Sequence, residues 1–195
     1  MIIGLTGGIG SGKTTVAKIF SKFQNTTVYY ADIEAKKLMI TSNVIKENMI
    51  NEFGENTYIN GQLNTTHIAD IVFNDKEKLK TLNEIVHPEV YKHLTQFVEK
   101  NKNKDYILYE NAILFENKSD SFCDKIITVT APIDIRINRV IERDKVSSKS
   151  VKTRIQNQWN NDLKIMQSNY VIKNKKLKDT EKQVFKIHNI LTNQL

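Results

Sequence analysis

Eight residues near the N-terminus, Gly7-Gly8-Ile9-Gly10-Ser11-Gly12-Lys13-Thr14, have the spacing G-x-x-x-x-G-K-[ST]. They follow a short apolar run, Met1 to Leu5, and precede an amphipathic stretch. The chemistry this pattern serves is the grip on a polyphosphate. Glycines let the backbone turn its N–H groups toward an anion. A helix that starts at the loop adds its positive end. Gly8, Ile9, Gly10, Ser11, Gly12, Lys13, Thr14 and Thr15 are therefore the candidate nucleotide-binding residues. Lys13 is expected to bridge the β- and γ-phosphates, and the Thr14 hydroxyl to ligate nucleotide-bound Mg²⁺. The segment is not a dinucleotide fingerprint, because that would need glycine where Lys13 stands.

Further residues could act on a seated phosphate. Asp32 closes the second predicted strand, where a carboxylate could orient an acceptor hydroxyl and take its proton. It could equally cap the helix that begins at Ile33, and both roles can hold at one strand-to-helix corner. Glu110 follows a third strand, as a Walker-B acid near Mg²⁺ or as a surface residue; Glu116 is a second acid whose relation to the metal is open. His87 could contact the acceptor, or cap or pack a helix before Pro88. The four arginines, Arg136, Arg139, Arg143 and Arg154, all fall in one short segment, whereas 25 lysines are scattered. Arginine grips phosphate in a bidentate fork that lysine lacks. Arg139 and Arg143 share a helix face and, with Arg154, could close over the phosphates as a lid.

Strands are expected over 1–5, 27–31, 106–109, 125–130 and 170–172, separated by helical stretches. The helices include 14–23, 133–143, a single polar helix over 148–166, and 180–191. Residues 33–104 read as mostly helical, with an irregular turn around Gly54 and Gly61 and an interruption at His87-Pro88. The pattern is α/β: a five-stranded parallel sheet with helices on both faces, plus a helical substrate-binding region and a lid. The core is drawn from 1–32, 105–140 and 168–195, the acceptor-binding region from 33–104, and the lid from 141–167. Such sheets bind ligands beyond the carboxyl ends of their strands.

The 195 residues are 39% hydrophobic and carry a formal charge of +7. No stretch approaches the roughly 20 apolar residues of a membrane span. The start, Met-Ile-Ile-Gly-Leu-Thr-Gly, has no basic n-region, so no signal peptide is expected. The lone Cys123 cannot form an internal disulfide, which suggests a reducing, cytoplasmic setting, and it reads as a part-buried small residue. The basic excess lacks aromatic interleaving, so it is read as raising local phosphate-ligand concentration, with no nucleic-acid partner. Asn117-Lys118-Ser119-Asp120 fits a guanine-reading pattern, but no aspartate stands three residues before any glycine, so a GTPase switch is missing.

The ordered set of motifs resembles the dephospho-CoA kinase family over essentially the whole length. The run Ile3 to Lys13 is similar to that family's phosphate loop. Tyr30-Ala31-Asp32 resembles its D-A-D, Ile85-Val86-His87-Pro88 its L-x-H-P, and Ala112-Ile113-Leu114-Phe115-Glu116 its P-L-L-F-E. Arg139 and Glu142-Arg143-Asp144 match its R-x-x-x-R-D, and Tyr170 to Asn174 its D-x-V-I-x-N near the adenine pocket. Tyr30, Ala112, Asn161, Lys164 and Lys175-Lys176 differ from the residues the family commonly carries. The resemblance implies Asp32, Lys13 and Arg139 as catalytic residues, Arg143 and Asn174 as nucleotide-binding, and Asp32 and His87 as substrate-side. It implies ATP and dephospho-CoA as substrates, with Mg²⁺. No membrane or nucleic-acid partner is expected, and the chain is expected to be a monomer or weak homo-oligomer. A kinase for another small hydroxylated acceptor is the rival reading, and a GTP-dependent switch a more distant one.

Overall fold

The computed structural model describes residues 1–193. In chain order the elements begin β1 (Ile2–Thr6), α1 (Lys13–Phe20), β2 (Thr26–Tyr30), α2 (Ala31–Thr41) and α3 (Asn43–Phe53). Then come β3 (Tyr58–Ile59), β4 (Gln62–Leu63), α4 (Thr65–Asn74), α5 (Lys76–Lys100), β5 (Tyr106–Glu110) and β6 (Lys125–Thr130). Helices α6 (Ile133–Asp144), α7 (Ser148–Gln156) and α8 (Asn161–Met166), strand β7 (Tyr170–Lys173) and helix α9 (Leu177–Thr192) complete the order. The chain divides into two units, one of Met1–Tyr30 with the chain from Asn101 onward, the other of Ala31–Lys100.

The first unit holds the expected five-stranded sheet, in the order β2-β5-β1-β6-β7, with every pair parallel. Strand β1 sits in the middle. Leu5 pairs with Glu110 on one side and Ile127 on the other, and Tyr30 also pairs with Glu110. The carboxyl ends of β1, β2 and β5 thus share one rim. A central parallel strand is buried on both faces, which is why successive residues of β1 and of the middle of β6 are buried without alternation. Ile3, Leu5, Leu108, Ile127, Val129 and Ile172 pack with Val16, Ala17 and Phe20 of α1 and Val184, Ile187 and Leu191 of α9. In α9 the buried positions 180, 184, 187 and 191 repeat at the helical spacing. The Tyr106 hydroxyl, buried in this core, finds a partner in His188 Nδ1 at 2.8 Å, and the His188 ring stacks on Phe23.

The second unit is helical, as expected for this region, with one addition. Asn60 and Gly61, both at positive φ, form the two-residue turn of a small hairpin, β3–β4. Ser42 accepts the Ile45 N–H to cap α3, and Asn64 accepts the His67 N–H to cap α4. The Tyr58 hydroxyl donates to the Met39 carbonyl at 2.6 Å. Ile45, Met49 and Phe53 of α3 and Val86, Val90 and Leu94 of α5 are buried.

Several boundaries differ from expectation; helix α1, for one, ends at Phe20, short of residue 23. The break at His87-Pro88 does not occur, and α5 runs through Pro88 for 25 residues. Proline removes one helical hydrogen bond, but the buried stripe Val86, Val90 and Leu94 continues across it and carries the helix on. The single helix over 148–166 is instead two. Asn157 ends α7, and Asn160 caps α8 by accepting the Asp162 N–H. Asparagine side chains compete for backbone groups in this way. Helix α9 begins at Leu177, a turn before the expected Thr180.

Candidate active site

The loop between β1 and α1 leaves the sheet at Thr6, and its conformation follows from where its carbonyls go. The Gly7 carbonyl accepts from Lys13 Nζ at 2.9 Å, and the Gly8 carbonyl from the Ser11 N–H. Arg136 Nε donates to the Ile9 carbonyl at 2.9 Å. Arg139 Nη1 reaches the Gly10 and Ser11 carbonyls at 3.5 and 3.4 Å, two long bonds from one group. Asn174 Nδ2 donates to the Ser11 carbonyl at 2.8 Å, and the Val16 N–H to that of Gly12. Every carbonyl from Gly7 to Gly12 therefore has a donor. The N–H groups of Gly10 and Gly12 make no hydrogen bond among the described residues. A backbone with its oxygens engaged and its N–H groups left over is a seat for an anion.

The supports are tightly fitted. Gly12, at φ 88°, has no room for a Cβ, which would collide with the Asn174 amide. A Cβ on Gly8 would meet the Arg136 guanidinium. Arg136 is buried, and burial pulls its pKa below the usual guanidinium value. Its charge stands directly behind the loop. Asn174 is buried at the end of β7, and its Oδ1 accepts from the buried Thr180 hydroxyl at 3.0 Å. Arg139 Nη2 also donates to the Asn174 carbonyl at 3.1 Å. Thus α1, α6, the end of β7 and α9 each contribute to holding one loop. Thr14 and Thr15 are exposed at the start of α1.

Glu110 is buried at the end of β5. Burial, and secondarily the nearby Glu110 carboxylate, push the Tyr30 hydroxyl above its ordinary pKa. Glu116 is engaged elsewhere. Its Oε1 accepts from Lys164 Nζ at 2.7 Å and from the Trp159 N–H at 3.0 Å. Lys164 is fully buried and also donates to the Ala112 carbonyl. Burial lowers its pKa more than Glu116 raises it. Trp159 stacks on Phe115, with centroids 6.0 Å apart. The turn between α7 and α8 is thereby fixed to the segment after β5.

Of the arginines expected over the phosphates, the structure brings Arg139 to the loop, together with Asn174. Arg143 and Arg154 both bind Asp144, at 2.7 and 2.9 Å, on an exposed surface. Arg143 chiefly, then Arg154, hold the Asp144 carboxyl below its usual range. Asp32 and His87 lie in the second unit. Helix α2 starts at Ala31, so Asp32 sits exposed inside its first turn instead of capping it. His87 is half-buried in α5, and burial lowers its pKa.

Sequence reasoning placed Arg136 in the arginine cluster that handles phosphate but not on the Ile9 carbonyl, and it gave no role to Gln158, Thr180 or the pairing of Glu116 with Lys164. Arg136 had a usable signal, because it stands three residues before Arg139 and so shares its helix face. Gln158, whose carboxamide oxygen accepts the Ile9 N–H at 2.7 Å across 149 residues, had none. Among the described residues no group of three or more His, Cys, Asp or Glu is arranged to hold a metal, and no helix is long and apolar enough to cross a membrane.

Comparisons with known proteins bear on the family and the fold. The sequence profile of the dephospho-CoA kinase family matches residues 1–179. The dephospho-CoA kinase of Fusobacterium nucleatum subsp. nucleatum is 39% identical over 186 residues, which is 94% of this chain and 95% of that one. A crystal structure of a Thermus thermophilus protein superposes with a TM-score of 0.88 at 28% identity, covering 97% of this chain and 96% of that one. A shikimate kinase from Bacteroides thetaiotaomicron shares the fold at a TM-score of 0.60 and 16% identity, covering 98% of each chain. A profile match across nearly the whole length, on a parallel sheet whose central strand ends in an anion-binding loop, is decisive: the chain belongs to the dephospho-CoA kinase family.

Proposed function

We propose that this protein transfers the γ-phosphoryl group of ATP to the ribose 3′-hydroxyl of dephospho-CoA, giving coenzyme A and ADP, the last step of coenzyme A biosynthesis. The observation that carries the reading is the phosphate loop of a family member, with every carbonyl from Gly7 to Gly12 engaged by a donor. Phosphoryl transfer asks a protein mainly for positioning and charge stabilisation. The loop N–H groups and the α1 N-terminus seat the polyphosphate. Lys13 leaves the Gly7 carbonyl for the β- and γ-phosphate oxygens. Arg136 and Arg139 hold the loop rigid, and their charges favour the phosphates from behind. Asp32 takes the proton of the attacking hydroxyl, and His87 serves the acceptor side. Arg143 is proposed to reach the nucleotide by exchanging Asp144 for phosphate.

The donor set fits Mg²⁺ of the ordinary kinase kind. That ion keeps most of its waters and takes one or two protein oxygens besides the phosphates. The exposed Thr14 hydroxyl and the Glu110 carboxylate at the end of β5 are such oxygens. Bound with ATP, Mg²⁺ neutralises charge on the β- and γ-phosphates. We place the reaction in the cytoplasm, where ATP and coenzyme A intermediates are both present.

The test is a coupled ADP-release assay across a panel of acceptors: dephospho-CoA, nucleoside monophosphates and shikimate. The expected result is ADP release with dephospho-CoA alone, and a product phosphorylated at the ribose 3′ position. Turnover of another acceptor at comparable kcat/KM, with none of dephospho-CoA, would overturn the reading.

A further inference from the structure

The peptide unit at Ile9 is held from both ends by side chains distant in sequence. Its carbonyl receives Arg136 Nε at 2.9 Å, and its N–H goes to the Gln158 carboxamide oxygen at 2.7 Å. An N–H can only meet the oxygen of a carboxamide, so the orientation of the Gln158 amide is fixed by chemistry. Among the described residues this is the one N–H between Gly7 and Gly12 that a side chain occupies. The neighbouring carbonyls are engaged by arginine, lysine and asparagine, all donors, so the loop's chemistry is otherwise arranged for an anion.

Gln158 is delivered to this position by an anchored stretch of chain. The next residue, Trp159, gives its N–H to Glu116 and stacks on Phe115 at an interplanar angle of 9°. Asn161 Nδ2 donates to the Thr130 hydroxyl at 2.7 Å, and Lys164 is buried against Glu116 and the Ala112 carbonyl. The Gln158 side chain is therefore presented to Ile9 by an anchored turn, in which the Gln158 N–H also donates to the Ile155 carbonyl of α7 at 3.2 Å.

We propose that Gln158 is a positioning residue of the phosphate site, whose oxygen keeps the Ile9 N–H aimed and satisfied in the place that a nucleotide phosphate oxygen takes, and which gives up that place when polyphosphate binds. This rests on the nucleotide-binding reading above. The exchange is favourable because an anionic oxygen makes a stronger, charge-assisted bond to an N–H than a neutral amide oxygen does. A neutral placeholder also leaves no negative charge facing the incoming phosphates, as glutamate would. Departure of Gln158 disturbs its immediate neighbour Trp159, the only tryptophan in the chain, which is partly exposed on the Phe115 ring. Indole fluorescence thus reports the exchange without a label.

The experiment titrates the full chain, wild type, Gln158→Ala and Gln158→Glu, with ATP, ADP and AMP, following heat for affinity and Trp159 emission for the exchange. With the competing bond gone, Gln158→Ala should bind ADP and ATP about 2- to 10-fold more tightly than wild type, the range expected for one hydrogen bond of ordinary net strength. Affinity for AMP should be unchanged. Gln158→Glu should weaken ADP and ATP by more than about 10-fold, from like charges in one seat. ATP and ADP should shift Trp159 emission in wild type, and much less in Gln158→Ala. Equal or weaker ADP binding by Gln158→Ala at an unchanged Tm would overturn the proposal, because a merely supporting glutamine cannot tighten binding when removed. If Gln158→Ala does not fold, Gln158→Met, similar in size and lacking the oxygen, carries the same test. A wild type that binds neither ATP nor ADP would sink the nucleotide reading itself, whereas normal nucleotide binding without the gain sinks this inference alone.

Discussion

Single side chains do the chemistry here, and the physics of each is local. The roles proposed for Lys13 and the glycines follow from their types and spacing, which are readable along the chain. Cys123 is the opposite case, a reactive type without a reactive setting. Burial, then Asp120 and Asp124, push its thiol up to about 12, so it stays protonated at neutral pH. Asp32 is the residue proposed to take the proton of the attacking hydroxyl. Replacing it with asparagine keeps the size and removes the proton acceptor. Asp32→Asn should lower kcat by about 10²- to 10⁴-fold, the usual value of a positioned base, with little change in KM for ATP, as read in steady-state assays. A kcat near wild type would remove Asp32 from that role.

Elements decide which of these residues meet. Helix α6 carries Arg136 and Arg139 three residues apart to the loop carbonyls, while Arg143, one turn further, ends beside Asp144. The helix break at 157–160 matters as much, since it turns Gln158 toward Ile9 and Lys164 into the interior. The Lys164–Glu116 pair fixes that turn. Removing one partner strands the other charge in a poorly solvated place. Lys164→Met alone should cost about 3–5 kcal/mol in urea unfolding, and Lys164→Met with Glu116→Gln should recover most of it. Equal losses in the single and double variants would show that the pair has no such coupling.

Two histidines are held below their ordinary pKa by burial, His87 in one unit and His188 in the other, where Asp105 offsets part of the effect. Both are folded in the neutral form. The unfolded chain binds protons near pH 6.5 and the native one only at lower pH, so the unfolded state holds more protons in that window. Stability is thus full above about pH 6.5 and falls as pH drops through the lowered native values. Tm measured from pH 7.5 to 5 should decline below about 6.5, and His87→Gln should flatten part of that decline. Asp144, lowered from 3.8, adds its own loss only in more acid solution. A Tm independent of pH across the histidine window would contradict this assignment.

The sheet, its strand count and the phosphate loop were legible because they rest on local rules: apolar runs for buried strands, a fixed spacing for the loop, and repeats of three and four for α9. The hairpin at Asn60-Gly61 had its two-residue turn signal too, overlooked because its strands are only two residues each. Pro88 misled because a local rule was overruled by the buried stripe that continues past it. What no local rule could supply are contacts across more than a hundred residues, Arg136 and Gln158 on the two ends of the Ile9 peptide and Asn174 on Ser11. By itself the sequence determined which groups can bind phosphate. Only the tertiary structure decided which groups hold the loop that does so, because a carbonyl or an N–H is the same in every residue and its partner is chosen by packing alone.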